Sequence, residues 1–249
     1  MGEHRRFFVS PEQISGDNAV LTGDTARQIS KVLRLREGDC ICLLDGSGIE
    51  HNARISAVSR DEVEARIFET GSCANEARLR LTLAICHPKG DKLELIVQKA
   101  TELGISRVVI VNSERTVARP EDSKIAERLV RWRRIAAEAA EQSCRSCIPE
   151  IDGVVGFEEL IDSVSGYQLA LVAWEDENET SLRDVIRGKP DVESVLLIIG
   201  PEGGLTNKEV EDAKAAGARC VTFGKRVLRS ETAAIAGCAA IMYELEGEL

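Results

Sequence analysis

Residues 195–232 read VLLIIGPEGGLTNKEVEDAKAAGARCVTFGKRVLRSET. The run from Val195 to Ile199 is almost continuously apolar, as expected of a strand buried on both faces of a parallel sheet. It opens into Gly200-Pro201-Glu202-Gly203-Gly204. The glycines strip side chains from this turn, so a ligand can approach its backbone N–H groups, and Pro201 stiffens it. Thr206-x-x-Glu209 is a capping box, the helix it opens adds a positive dipole end, and Gly217 stops that helix. ARCVTF, residues 218–223, is the next strand. It leads into a second unusual loop, FGKRVLRSET, residues 223–232, after which Ser230 is placed to cap an alanine-rich helix over residues 231–245. Ligands of open α/β sheets bind beyond the carboxyl ends of the strands, and both loops lie there. The alternative for the first loop is a plain strand-to-helix turn, which needs fewer glycines than this.

Working back from this stretch, residues 76–249 alternate strand and helix. LRLTLAIC (79–86), RVVIVN (107–112), YQLALVAW (167–174) and VESVLLIIG (192–200) are strands. Asp91-x-x-Glu94 reads as a capping box for KLELIVQKATELG, with Leu93, Ile96, Val97, Ala100 and Leu103 inward and Gly104 as the stop. A long helix spans roughly 123–144 with Leu129, Trp132, Ile135, Ala136 and Ala139 inward. The pattern predicts an α/β domain with a parallel sheet. Residues 5–72 instead show short alternating strands in RRFFV, CICLL, HNARISAVS and EVEARIFET, with turn chemistry at Asp45-Gly46 and Ser47-Gly48. ARQISKVLRL is a short amphipathic helix with Ala26, Ile29, Val32 and Leu33 inward. A small β-barrel of about 70 residues with one helix fits. The linker Thr70–Glu76 sets the expected domains at 1–73 and 74–249.

The chain has 249 residues, 43% hydrophobic and 30% charged, which suits a globular protein. It holds no apolar run of the roughly 18 residues that span a bilayer and no secretory signal pattern, so the expected location is the cytoplasm. The net charge of −10 is uneven: −3 over residues 1–75, +3 over 76–150 and −10 over 151–249. Positive charge gathered in the middle is what a local patch for a polyanion requires, and equally what a solvated helix face shows. Of eight cysteines, Cys40, Cys42, Cys86 and Cys220 sit in apolar runs and read as small buried hydrophobes. Cys144-x-x-Cys147 lacks a second pair or suitably spaced histidines, so no metal site is expected; the two are ordinary helix-end thiols or a redox pair.

Neither a G-x-x-x-x-G-K-[ST] loop nor an early G-x-G-x-x-G is present, which removes the P-loop and Rossmann readings. The late pair IIGPEGGLTNKEV and FGKRVLRSETA instead resembles the signature of the SPOUT methyltransferases, an α/β class with a C-terminal trefoil knot behind an N-terminal PUA-like barrel. Within that class the chain resembles the family that methylates N3 of a uridine in bacterial 16S ribosomal RNA. The likeness extends to RRFFV, KVLRLREGD, LLDGSG, KGDKLELIVQKATELGISRVVIVNSERT and RWRRIAAEAAEQSCR.

The resemblance implies a homodimer acting on 16S rRNA or the small ribosomal subunit, with S-adenosyl-L-methionine as methyl donor. The cofactor positions it implies are Ile199, Gly200, Pro201, Glu202, Gly203, Gly204, Phe223, Gly224, Val227, Leu228 and Thr232, with Trp174 at the end of the third strand. A uridine N3 must lose its proton before it attacks, so Arg229 is expected to face the base or its phosphate and offset negative charge on the uracil oxygens. Otherwise it pairs with Glu231 or Glu202. Glu231 is expected to orient Arg229 or to accept the proton. A paired uridine hides N3, so the target must be unpaired or extruded. Phosphate contacts are expected from Arg5, Arg6, Arg34, Lys89, Lys92, Lys99, Arg115 and Arg133. Two readings compete: a SPOUT enzyme acting on a ribose 2′-oxygen or on tRNA, and a non-catalytic RNA-binding assembly protein.

Overall fold

The computed structural model describes residues 5–73, 76–117 and 122–247. They fall into two compact units, one formed by Met1–Glu76 with Ala140–Ile148, the other by Ala77–Ala139 with Pro149–Leu249.

The first unit is built on one mixed six-stranded sheet: β1 (Arg5–Phe8), β2 (Ile14–Ser15), β3 (Asn18–Thr22), β4 (Cys40–Leu44), β5 (Ile49–Val58) and β6 (Glu62–Ser72). The order is β1-β4-β5-β6-β3-β2, with β1 parallel to β4 and the other pairs antiparallel. Strict alternation along β3 and the first half of β6 turns one face inward. Phe7, Leu21, Ile41, Leu43, Ala53, Ile55 and Val63 form its core with Ala26 and Ile29. The expected helix is α1 (Gly23–Arg27), continued by a π-helical turn over Gln28–Val32. That turn shifts the facing, so Val32 is 72% exposed and not inward as its spacing predicts. Arg34 follows in the left-handed conformation, φ 53°, where the chain leaves the helix.

The unit also takes in residues 140–148, which the linker at 70–76 does not foretell. Glu76 is the reason. Its Oε1 accepts from the backbone N–H groups of Ser146 (2.7 Å) and Cys147 (2.9 Å), and its Oε2 from Arg145 Nη2 at 3.0 Å. Glu141 Oε1 likewise accepts from Phe8 N at 3.1 Å.

The second unit is an all-parallel sheet of β7 (Arg80–Cys86), β8 (Arg107–Asn112), β9 (Glu150–Gly156), β10 (Leu169–Ala173), β11 (Ser194–Ile199) and β12 (Arg219–Val221), in the order β12-β10-β11-β7-β8-β9. Its helices are α2 (Lys92–Glu102), α3 (Asp122–Gln142), α4 (Phe157–Ser163), α5 (Leu182–Arg187), α6 (Asn207–Ala215) and α7 (Ser230–Glu246). Every residue of β11 is buried, as its apolarity predicts. Ala84, Val109, Val172, Leu196 and Ile198 pack on one face with Phe157, Leu160, Val210 and Ala213. On the other face α7 packs on β7, β11 and α2. The Thr206–Glu209 capping box forms in full. Asp91 does not cap α2 with its side chain; its own backbone carbonyl accepts from Glu94 N at 3.1 Å. The closing helix begins at Ser230, one residue before the expected start, with Arg229 as N-cap. Among the described residues no helix is long and apolar enough to cross a membrane.

Candidate functional site

Because β10 lies between β11 and β12 in the sheet, the loops leaving the carboxyl ends of these three strands converge. They surround a cavity of about 360 Å³, within the usual range of small-molecule sites. The walls are the turn after β10, the GPEGG loop after β11, the FGKRVLRS loop after β12 and the first turn of α7. Ile199, Val221, Phe223 and Leu228 give it apolar surface, and Lys225, Arg226 and Arg229 a basic rim.

The two signature loops are physically joined. Ser230 Oγ donates to the carbonyl of Gly200 at 3.2 Å. Behind them Gly237 of α7 lets the helix come close: a Cβ there would sit 2.8 Å from both Leu197 Cδ2 and Phe223 Cζ. The FGKR loop is fixed at its root by Thr222, whose N–H donates to Thr180 O (2.9 Å) and whose carbonyl accepts from Leu182 N (3.0 Å).

Of the expected cofactor positions, Trp174, Ile199, Gly200, Pro201, Glu202, Gly204, Phe223, Gly224, Val227 and Leu228 line the cavity. Gly203 and Thr232 do not. Gly203 turns outward against the Arg115 side chain, 3.5 Å from where its Cβ would lie. Thr232 is exposed on α7, and Ser230 and Ala233 take the cavity-facing places. Trp174 is clamped from outside by Lys214 Nζ, 5.2 Å above its ring. Sequence reasoning missed Glu175 and Asn178. They occupy the turn after YQLALVAW, and that turn carries no glycine motif to advertise it.

Arg229 is exposed on the cavity rim. Glu231 is off the cavity lining, half-buried, and 3.2 Å from Lys92 Nζ, an ion-pair distance without hydrogen-bond geometry. Lys92 also donates to Glu202 Oε1 at 3.0 Å, and that oxygen accepts the Lys89 N–H at 3.1 Å. Burial pushes the Glu202 carboxyl up, but Lys92 and backbone N–H groups outweigh it and leave it below the ordinary range. The Glu231 carboxyl is also held low, first by its own backbone N–H at the helix start, against a burial penalty, then by Lys92 and the charge of Arg229.

The basic residues expected to touch phosphate divide into two groups. Arg5, Arg34 and Lys89 are exposed, with no side-chain hydrogen-bond or ion-pair partner among the described residues. The others, of which Arg115 and Arg133 are also exposed, bond to groups of the fold. Arg6 pairs with Glu50 at 2.5 Å, Lys92 with Glu202 and Glu231, and Lys99 with Glu102 at 2.8 Å. Arg115 Nη1 donates to Gly203 O at 3.0 Å, bracing the outside of the GPEGG loop, and Arg133 Nη2 donates to Ile151 O at 3.1 Å. Cys144 is exposed with φ 59°, and Cys147 is half-buried with its Sγ 3.8 Å from Gly46 O. Among the described residues no cluster of three or more His, Cys, Asp or Glu could hold a metal ion.

A glycine-cradled cavity of small-molecule size at the carboxyl edge of a parallel sheet, reached late in the chain, defines the class as an α/β protein with its site at the strand ends. The chain belongs to the RNA methyltransferase family: residues 75–242 match the RNA methyltransferase domain, and residues 21–68 the RNA methyltransferase PUA domain. It is similar to the ribosomal RNA small subunit methyltransferase E of Bacillus subtilis, 34% identical over 91% of this chain and 90% of the relative. That of Synechocystis is 36% identical over 97% of this chain and 78% of the relative. The structure of the Neisseria gonorrhoeae ribosomal RNA small subunit methyltransferase E bound to S-adenosyl methionine matches with TM-score 0.86, 33% identity and coverage of 96% and 97% of the two chains. A Legionella pneumophila putative methyltransferase in complex with the cofactor matches with TM-score 0.87 and 28% identity over 97% and 98%.

Proposed function

We propose that the chain transfers the methyl group of S-adenosylmethionine to N3 of a uridine in the 16S rRNA of the small ribosomal subunit. The carrying observation is the cavity itself, in which GPEGG and FGKRVLRS close on one space with Arg229 at its rim. Its fit to the donor is supported by its size, by the Gly204 wall and by apolar surface beside the Ile199–Pro201 turn. The donor supplies an already activated sulfonium methyl. The protein must align N3 with it and favour the deprotonated imide, and alignment alone can lower a barrier by several kcal/mol. Arg229 places positive charge where the uracil oxygens become negative. Glu231, ionised and held by Lys92, is a weak proton acceptor and suits orienting Arg229 better than taking the N3 proton.

In this reading residues 1–73 bind RNA through the PUA-like sheet and residues 74–249 carry the reaction, in the cytoplasm where ribosomes assemble. Arg5, Arg34 and Lys89 are the exposed members of the expected phosphate-contacting set whose side chains have no hydrogen-bond or ion-pair partner among the described residues. A homodimer is supported by α7, where Thr232, Ala236, Ala240 and the 60%-exposed Tyr243 form an uncovered small and apolar stripe running from the cavity mouth. The trefoil knot is what the resemblance implies. Stretching residues 77–247 from both ends should then leave the chain shorter than its full contour length, and full extension would rule the knot out.

The test of function is methylation of small-subunit rRNA by the purified protein with isotopically labelled donor, followed by nucleoside analysis. The expected product is 3-methyluridine. A 2′-O-methylated nucleoside, label only in tRNA, or no transfer to any small-subunit particle would each overturn the reading.

A further inference from the structure

Glu175 stands out among the cavity walls. It follows β10 in a turn that satisfies its own polar groups: Glu177 Oε1 accepts the N–H groups of Glu179 (2.8 Å) and Thr180 (2.9 Å), and Asn178 Nδ2 donates to Asp176 O at 2.9 Å. Glu175 is not used in that network. Its carboxylate lies across to the GPEGG loop, against the face of Gly204. A Cβ at Gly204 would run into Glu175 Oε1 and lie 3.0 Å from its Cδ, and φ of +68° at Gly204 keeps that face bare. The Glu175 carboxylate has no hydrogen-bond or ion-pair partner among the described residues.

The cavity is electrically lopsided as a result. Glu202, the other carboxylate on the wall, is committed to Lys92 and to the Lys89 N–H. Lys225, Arg226 and Arg229 stand on a different loop. Glu175 is exposed at the cavity wall, so its carboxylate is open to a cationic ligand, and a charge-assisted contact there is stronger than a neutral one. The methyl donor carries a permanent sulfonium cation and an ammonium on one arm, and a carboxylate that suits the basic rim.

We infer that Glu175 is the counter-ion that receives the cationic end of the methyl donor, a step deeper than, and resting on, the cofactor reading above. The purine and ribose are then held by the glycine loops and the apolar wall, without Glu175.

Calorimetric titration of the full-length protein and its Glu175→Gln variant with three compounds tests this. The compounds are S-adenosylmethionine, S-adenosylhomocysteine, which lacks the sulfonium charge, and 5′-methylthioadenosine, which lacks both cationic groups. The expected result is a loss of about tenfold or more in affinity for S-adenosylmethionine, with methylthioadenosine changed less than twofold. An equal loss for S-adenosylhomocysteine identifies the ammonium as the group held; an unchanged affinity identifies the sulfonium. Equal weakening of all three compounds, or no loss for S-adenosylmethionine, overturns the inference. Failure of the unsubstituted protein to bind any of the three sinks the cofactor reading instead, so the two failures are distinct.

Discussion

Ser230 Oγ donates to the carbonyl of Gly200 at 3.2 Å, and this bond joins loops that are 30 residues apart in sequence. Ser230 is 6% exposed, so water cannot readily replace the hydroxyl. Ser230→Ala should cost about 1–2 kcal/mol of stability and weaken donor binding several-fold. Thermal unfolding and calorimetry read both. An unchanged affinity would mean the two loops hold their positions independently.

Gly237 offers a test in which the sign matters. In an exposed helix interior, glycine to alanine adds about 1 kcal/mol of stability. Here the added methyl meets Leu197 and Phe223 at 2.8 Å. Gly237→Ala should therefore destabilise by about 1–3 kcal/mol and loosen donor binding by displacing Phe223. A stabilised variant in urea unfolding would show that the helix has room to shift.

Lys92 separates an RNA contact from a positioning role. It is engaged by Glu202 and Glu231, so Lys92→Met should lower turnover several-fold while leaving the salt dependence of RNA affinity unchanged. If the logarithmic salt slope falls by about one, Lys92 neutralises a phosphate and the positioning role is wrong.

Arg229→Ala should keep donor affinity within a few-fold and reduce methyl transfer by about 100-fold, the scale of removing one charge-stabilising group. Arg229→Lys should recover part of the loss. Single-turnover rates near those of the unsubstituted protein would remove Arg229 from the reaction.

His87 gives a pH signature. It is 3% exposed, its ring centroid is 6.0 Å from that of Trp132, and neither ring nitrogen has a hydrogen-bond partner among the described residues. Burial, aided by Arg128, pushes its pKa down. The unfolded chain therefore binds the proton more readily, so the folded state is fully favoured above about pH 6.5 and loses stability as pH falls below it. The urea midpoint of the unsubstituted protein should drop more steeply between pH 7 and pH 5 than that of His87→Phe. Parallel profiles would show that the ring stays protonated or hydrated in the fold.

What the sequence disclosed follows the strength of the local signals. Val195–Ile199 is buried on both faces and reads so from its apolarity alone; Thr206 and Glu209 form their box because both partners are local. The Asp91 cap failed although its spacing is the same, because the backbone there, φ −91° and ψ 11°, is not that of an N-cap. The glycine loops mark the cavity locally, while the twelve cofactor positions come from the family resemblance, and ten of these line the cavity. Glu175 was hidden because its place depends on which strand neighbours which, and β10 meets β11 and β12 only in the folded sheet. Lys92 and Arg115 have the charge that phosphate binding needs, but their carboxylate and carbonyl partners lie about 90–140 residues away in sequence, beyond the reach of local pattern.

The grip of Glu76 on residues 145–147 has a consequence for how such a chain can change over generations. The first unit is encoded in two separated stretches, and the second stretch lies inside the sequence of its neighbour. A crossover that exchanged only residues 1–76 would separate the Glu76 carboxylate from the Arg145 side chain it pairs with, so the unit does not travel intact as a cassette. Its lineage is tied to that of the methyltransferase half, and the two are expected to share one ancestry.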